Sequence, residues 1–258
     1  MVEKETEPVS AVLGEVFRRR DIHYGFFDLD GTLIDTHHYY DIYMDRYAGV
    51  IASLSPGHKE PEYVRETMSN ILRGLRSEFS VNPALMLETA RITALNFGQD
   101  FYSEEIQSHT ADLMQLYVNA PAVFDGVHET LGVLMKAGLK PVVATHSEDP
   151  WTKVRLAKNG LLSYFEPRIF SFDSFGGKGI EEWKVVYGSL RVGPNQVIVA
   201  GDSILNDVDP NLVLGVPPEQ IFRIATDYSD ANKGELDDEV REVNKFADLP
   251  YAILERLY

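Results

Sequence analysis

The chain of 258 residues contains no cysteine. That excludes disulfides, thiolate metal sites and a cysteine nucleophile, and it fits the reducing interior of a cell, so a cytoplasmic location is the expectation. Also missing is any apolar run approaching the roughly 20 residues that cross a bilayer. The opening MVEKETEPVSAVLGEVFRRR has no continuous apolar stretch of signal-peptide length. Basic residues are scarce: 24 Lys and Arg stand against 40 Asp and Glu, a formal net charge of −16. Such a field repels nucleic acid and anionic membranes, so neither is expected as a partner. A small phosphorylated metabolite remains compatible with it, because a bound metal ion and backbone dipoles act locally. Oligomeric state leaves no mark in the sequence.

What is present is a normal share of apolar residues, 44% hydrophobic and 11% aromatic, enough to bury a core. Residues 1–20 read as an N-terminal extension, either a short helix or a loose segment. His23 to Asp28 (HYGFFD) is a short aromatic strand that stops at a turn signal. Residues 37–118 then turn helical. Tyr40, Tyr43, Met44, Tyr47, Val50, Ile51 and Leu54 share one helix face, and Val64, Met68, Ile71, Leu72 and Leu75 repeat the pattern. Asn82-Pro83 reads as a cap and first-turn proline for a third helix, and Ile106 to Tyr117 marks a fourth.

From Pro121 onward strands and helices alternate. Strands are expected at Leu139–Thr145, Arg168–Ser171, Val197–Ala200 and Ile221–Ala225, with helices at Asp125–Ala137, after Asp149-Pro150, and at Ile180–Arg191. Short apolar strands separated by helices imply parallel βαβ units covered on both faces. The fold class is therefore α/β, a doubly wound parallel sheet built from residues 21–36 and 119–258, with residues 37–118 inserted as a helical unit. Asp227 to Glu242 is polar and acidic and reads as a solvated loop.

The sharpest chemical signal is Asp28-Leu29-Asp30-Gly31-Thr32, directly after the first strand. Ligands of open parallel sheets bind beyond the carboxyl ends of the strands, which is where both carboxylates arrive. Gly31 lets the chain turn without a side chain in the way. Alone, the pattern is also that of an acidic turn. Two further strand ends supply polar groups: VVATHS, in which Thr145 offers a hydroxyl, and VIVAGDSILND, with Asp202 and Asp207 five positions apart.

Together these motifs resemble those of the haloacid dehalogenase superfamily, with FFDLDGTLIDT as its first motif, Thr145 in the second, a lysine as the third and GDSILND as the fourth. The resemblance extends to about Ala225, and it implies that residues 37–118 are a cap over the strand ends. It further implies a Mg²⁺-dependent phosphatase acting on a small phosphate monoester. Asp28 would be the nucleophile and Asp30 the acid and base, with Leu29, Thr145, His146 and Lys178 meeting the substrate. Asp28, Asp202 and the backbone carbonyl of Asp30 would hold the metal, with Asp207 supporting. Lys178 lies 24 residues before Asp202, close to the family spacing, but Gly179 stands where relatives often have proline, and Lys184 competes for the role. His146 stands where asparagine is common. His37 and His38 could line the substrate mouth or form a hinge, and Arg46, Arg65, Arg73, Arg76 and Arg91 could meet an anionic substrate or face solvent.

Other readings stay open. A sugar phosphomutase uses the same motifs. The family's dehalogenases lack the second aspartate, and its phosphonate hydrolases need a cap lysine, for which only Lys59 is available. A non-catalytic phosphate-binding module is the alternative from outside enzymology.

Overall fold

Phe26 and Phe27 are neighbours in sequence and opposites in space. Both are fully buried. Phe26 stacks on Trp183 with ring centroids 5.9 Å apart, whereas Phe27 meets Phe246 edge-on at 5.5 Å. Alternate residues of a strand face opposite sides, so a strand apolar at both positions must be covered twice. The same division runs through Val142 against Val143 and Val197 against Ile198, each pair split between two apolar clusters.

The computed structural model describes residues 3–75, 83–172, 178–225 and 235–258. Six strands, β1 (Tyr24–Phe27), β2 (Lys140–Thr145), β3 (Ile169–Ser171), β4 (Val197–Gly201), β5 (Ile221–Ile224) and β6 (Arg241–Val243), form one sheet in the order β3-β2-β1-β4-β5-β6. Every pairing is parallel. The helices are α1 (Glu3–Arg20), α2 (Thr36–Leu54), α3 (Pro61–Leu75), α4 (Pro83–Asn96), α5 (Glu104–Val118), α6 (Val127–Lys136), α7 (Asp149–Lys158), α8 (Leu162–Phe165), α9 (Ile180–Leu190), α10 (Asp209–Val213) and α11 (Leu249–Leu257). The chain runs to one side of β1 for β2 and β3 and to the other for β4 to β6, so the strand order reverses between β1 and β4. That crevice is where open α/β sheets bind ligands.

The α/β class and the parallel sheet are as expected, with strand bounds shifted by a residue or so. Helices α2 to α5 carry a cluster of their own, with Met44, Tyr47, Ile51, Met68, Met86 and Leu113 at its centre. Asn82, expected to cap α4, and Arg76 lie outside the described residues.

Three segments depart from the sequence reading. Helix α1 is part of the core: Leu13, Val16 and Phe17 are buried in the same cluster as Phe27 and Leu134. Its terminal arginines point to the other end of the chain, Arg19 donating to the carbonyls of Leu257 and Tyr258 at 3.3 and 3.1 Å and Arg20 to that of Leu257 at 3.3 Å. Cations suit the unpaired carbonyls at a helix C-terminus. Of the acidic stretch read as loop, residues 227–234 lie outside the described residues. Its end instead enters the sheet as β6, a strand too short and too charged to show a period. Helix α11 follows and buries Leu249, Ile253 and Leu257.

Truncating a buried leucine typically costs about 2–5 kcal/mol. Leu13→Ala should lower the free energy of urea unfolding by an amount in that range. A change below about 0.5 kcal/mol, the ordinary result at a surface site, would mean that α1 is a loose extension after all.

Candidate active site

Three loops that leave the sheet at β1, β2 and β4 converge on a cavity of about 270 Å³, at the small end for ligand pockets. Its polar lining includes Asp28, Asp30, Thr145, Lys178, Asp202 and Asp207. Thus Asp28, Asp30 and Thr145 stand where the sequence places them, at strand ends. Leu29 lies between the two acids with its side chain fully buried in the core, which leaves its backbone to meet a ligand.

At the floor lies a knot of charge. Asp28, Asp202 and Asp207 are all buried, and one carboxylate oxygen from each lies within 4.8 Å of the others. Lys178, 2% exposed, donates to an Asp28 oxygen and to the carbonyl of Ala144 at 2.8 Å. Its Nζ also stands 2.7 Å from Asp207 Oδ1. Burial pushes the Asp28 carboxyl well above the ordinary aspartate range; Lys178 opposes the shift, and Asp207 and Asp202 reinforce it. Burial likewise raises Asp207. For Lys178, burial favours the neutral amine, but Asp207 and Asp28 outweigh it and hold the ammonium above its usual range. Lys184, the competitor, is half exposed on α9 and pairs with Glu181 at 2.6 Å. The lysine at the site is Lys178.

The acidic loop is held from several sides. The backbone N–H of Ser203 donates to Asp207 Oδ2 at 3.1 Å, Trp183 Nε1 to the carbonyl of Asn206 at 2.7 Å, and Asn211 to that of Asp207 at 2.7 Å. Two glycines permit the close approach. A Cβ on Gly31, at φ +84°, would sit 2.6 Å from Asp202 Oδ2, and one on Gly201 would sit 2.4 Å from the Asp207 carboxylate.

The Asp30 carboxylate turns away from this group. Its Oδ1 accepts from Thr36 Oγ1 at 2.5 Å and from Arg155 Nη1 at 3.0 Å, while Oδ2 takes a long 3.4 Å contact from Thr145. Arg155 carried no signal in the sequence, because one arginine on an amphipathic helix reads as a surface charge. His37 lies 3.7 Å from Asp202, and that carboxylate raises the imidazole pKa against the effect of burial. His146 lines the cavity too, whereas His38 is exposed.

From the helical unit, Tyr40, Leu116 and Tyr117 complete the wall. Tyr43 and Tyr47, of the same stripe as Tyr40, pack inside that unit. None of its described arginines lines the cavity: Arg65 binds Asp41 and Asp45, Arg91 binds Glu88, Arg46 lies over the Tyr43 ring, and Arg73 is exposed. Lys59 is exposed on a loop outside the cavity as well.

The model of the haloacid dehalogenase-like hydrolase family matches residues 26–245. The chain belongs to that family. Among solved structures, this haloacid dehalogenase-like hydrolase is similar to a family member from Xanthomonas campestris (18% identity, TM-score 0.73, covering 92% of each chain). It is also similar to the L-2-haloacid dehalogenase of Xanthobacter autotrophicus, at 19% identity and TM-score 0.63, over 90% of this chain and 98% of that one. A third, assigned as a hydrolase of this kind from Bacillus subtilis and bound to magnesium, has 15% identity and TM-score 0.65, over 90% and 99%. At such identities the likeness is one of fold. No curated protein matches the sequence significantly. Among the described residues no helix is long and apolar enough to cross a membrane.

The donor set of this hydrolase fits a hard divalent cation. All three clustered side chains offer oxygen, the preference of Mg²⁺. Asp207 Oδ1 stands 2.7 Å from the Lys178 ammonium, and an ionised carboxylate has lone pairs beyond the one that contact uses. Asp207 is thus the third clustered carboxylate, with the Asp30 side chain directed elsewhere. Binding to the folded state alone stabilises by about 2.7 kcal/mol at a hundred times the dissociation constant. Saturating MgCl₂ should therefore raise the melting temperature by about 5–10 °C and by less than half as much in Asp202→Asn. No rise in the wild type, or an equal rise in the variant, would remove Asp202 from a metal site.

Proposed function

We propose that this hydrolase is a phosphatase that cleaves a small phosphate monoester through an aspartyl-phosphate on Asp28. The observation that carries the reading is the pair of carboxylates on one cavity, one touching a buried lysine and the other turned to a separate set of donors. Displacing halide from carbon, as a dehalogenase does, releases a stable anion that needs no proton. Expelling an alkoxide from phosphorus does need one, and Asp30 is the group that can deliver it.

In the first step an Asp28 oxygen attacks phosphorus in line. The bond to the ester oxygen breaks, and that oxygen takes the Asp30 proton and leaves as the alcohol. In the second, water attacks phosphorus and gives a proton to Asp30. The bond to Asp28 breaks, inorganic phosphate departs, and both side chains return to their starting states. Lys178 favours the ionised Asp28 that the first step requires and meets charge developing on the phosphoryl oxygens. The hydroxyl of Thr145 and the backbone amide of Leu29 are further donors for those oxygens. Mg²⁺, held by Asp28, Asp202 and the backbone carbonyl of Asp30, with Asp207 beside them, would offset the repulsion between carboxylate and phosphate. Helices α2 to α5 would act as a cap that excludes water.

The test uses 4-nitrophenyl phosphate with MgCl₂. Asp28→Asn should abolish turnover and covalent phosphate. Asp30→Asn should release one equivalent of nitrophenol and then stall, with mass spectrometry finding the phosphate on Asp28. Turnover surviving in Asp28→Asn, or an adduct on Asp30, would overturn the assignment. A phosphomutase would isomerise a sugar phosphate faster than it releases phosphate, and the same preparation answers that.

A further inference from the structure

Arg155 belongs to none of the motifs, yet it is 5% exposed and lines the cavity. A guanidinium withdrawn from water costs several kcal/mol unless it is paired, so its partner identifies its purpose. Nη1 donates to Asp30 Oδ1 at 3.0 Å, and the buried Nε has no hydrogen-bond partner among the described residues. The residue therefore tolerates an incompletely satisfied site to keep one contact with one carboxylate oxygen.

The donors around Asp30 are unequally shared. Oδ1 receives both Thr36 and Arg155. Among the described residues Oδ2 has only the 3.4 Å contact with Thr145. An oxygen already accepting two donors is poorly placed to carry a proton, whereas Oδ2 is free to carry one toward the cavity. Arg155 adds direction, because its planar fork sits on a helix anchored at its own start. Thr152, one turn earlier, donates to the carbonyls of Ser147 and Glu148 at 3.2 and 3.0 Å and accepts from Ser171 on β3 at 3.1 Å.

We propose that Arg155 is a positioning residue for the proton-transfer step, locking Oδ1 of Asp30 so that Oδ2 faces the leaving oxygen. The inference rests on the phosphatase reading. It makes a demand that a merely structural arginine does not: the damage from losing it must depend on how much proton the leaving group needs. An alkyl alcohol needs protonation as the P–O bond breaks; 4-nitrophenolate hardly does. Both substrates form the same phospho-Asp28, whose hydrolysis again requires Asp30 to take a proton from water.

The experiment is single-turnover phosphorylation with MgCl₂, comparing 4-nitrophenyl phosphate with ethyl phosphate in the wild type, Arg155→Gln and Arg155→Lys. For Arg155→Gln, release of nitrophenol in the first turnover should stay within about 3-fold of wild type, and formation of ethanol should fall by about 100-fold, the scale of one proton transfer. Phospho-Asp28 should then accumulate and be visible by intact-protein mass spectrometry. Arg155→Lys, which keeps a cation but not the fork, should lie between the two, and it carries the same comparison if Arg155→Gln fails to fold. Equal losses on both esters, or no loss on either, would overturn the proposal while leaving the phosphatase reading in place. A wild-type protein inert toward both esters would overturn both.

Discussion

Much of this molecule follows from the need to keep three buried carboxylates together. Asp28, Asp202 and Asp207 repel one another at close range in a place where water screens little. Folding has to bring them there, because the crevice between β1 and β4 is where both loops end. The Lys178 ammonium opposes part of the repulsion, and its own charge is stabilised by the same acids. Strands with apolar residues on both faces hold the loops rigidly enough to keep the arrangement, and Gly31 and Gly201 let the carboxylates approach without a Cβ between them.

The second carboxylate group is organised on different terms. Asp30 is only two residues from Asp28, but its side chain leaves the acidic cluster for Thr36, Thr145 and Arg155. One turn of chain thus presents two carboxylates in contrasting surroundings, one deeply buried beside an ammonium and one fixed by two hydroxyls and a guanidinium. Splitting two chemically equal groups in this way is how a site obtains two roles from one residue type. The wall added by Tyr40, Leu116 and Tyr117 is largely apolar and aromatic, so the described arginines of the helical unit serve its own packing and surface instead of the cavity.

Several features are legible in the amino-acid sequence alone. Runs such as VVAT and VIVA are apolar at every position, and a parallel strand covered on both sides demands that pattern. The face formed by Tyr43, Tyr47 and Ile51 announced a helix because its period is local. The acids of DLDGT and GDSILND were conspicuous through their place after such strands. Between the two lysines, Lys184 sits at an exposed helix position, and Lys178 lies just before the α9 N-terminus.

The amino-acid sequence by itself determined the types of the elements from β1 to β5, the parallel α/β class and which strand ends carry polar groups, since each depends on the chain within a few residues. Only the tertiary structure decided that α1 joins the core, that residues Arg241–Val243 complete the sheet, that Leu29 turns inward and that Asp207 is the third clustered acid. The contact between Arg155 and Asp30 spans 125 residues of sequence. No periodicity encodes such a meeting, because it arises from how α7 packs beside the crevice once the sheet has formed. Burial is what turns it from a surface charge into a fixed partner: a guanidinium in water has many alternatives, and one enclosed at the cavity wall has few.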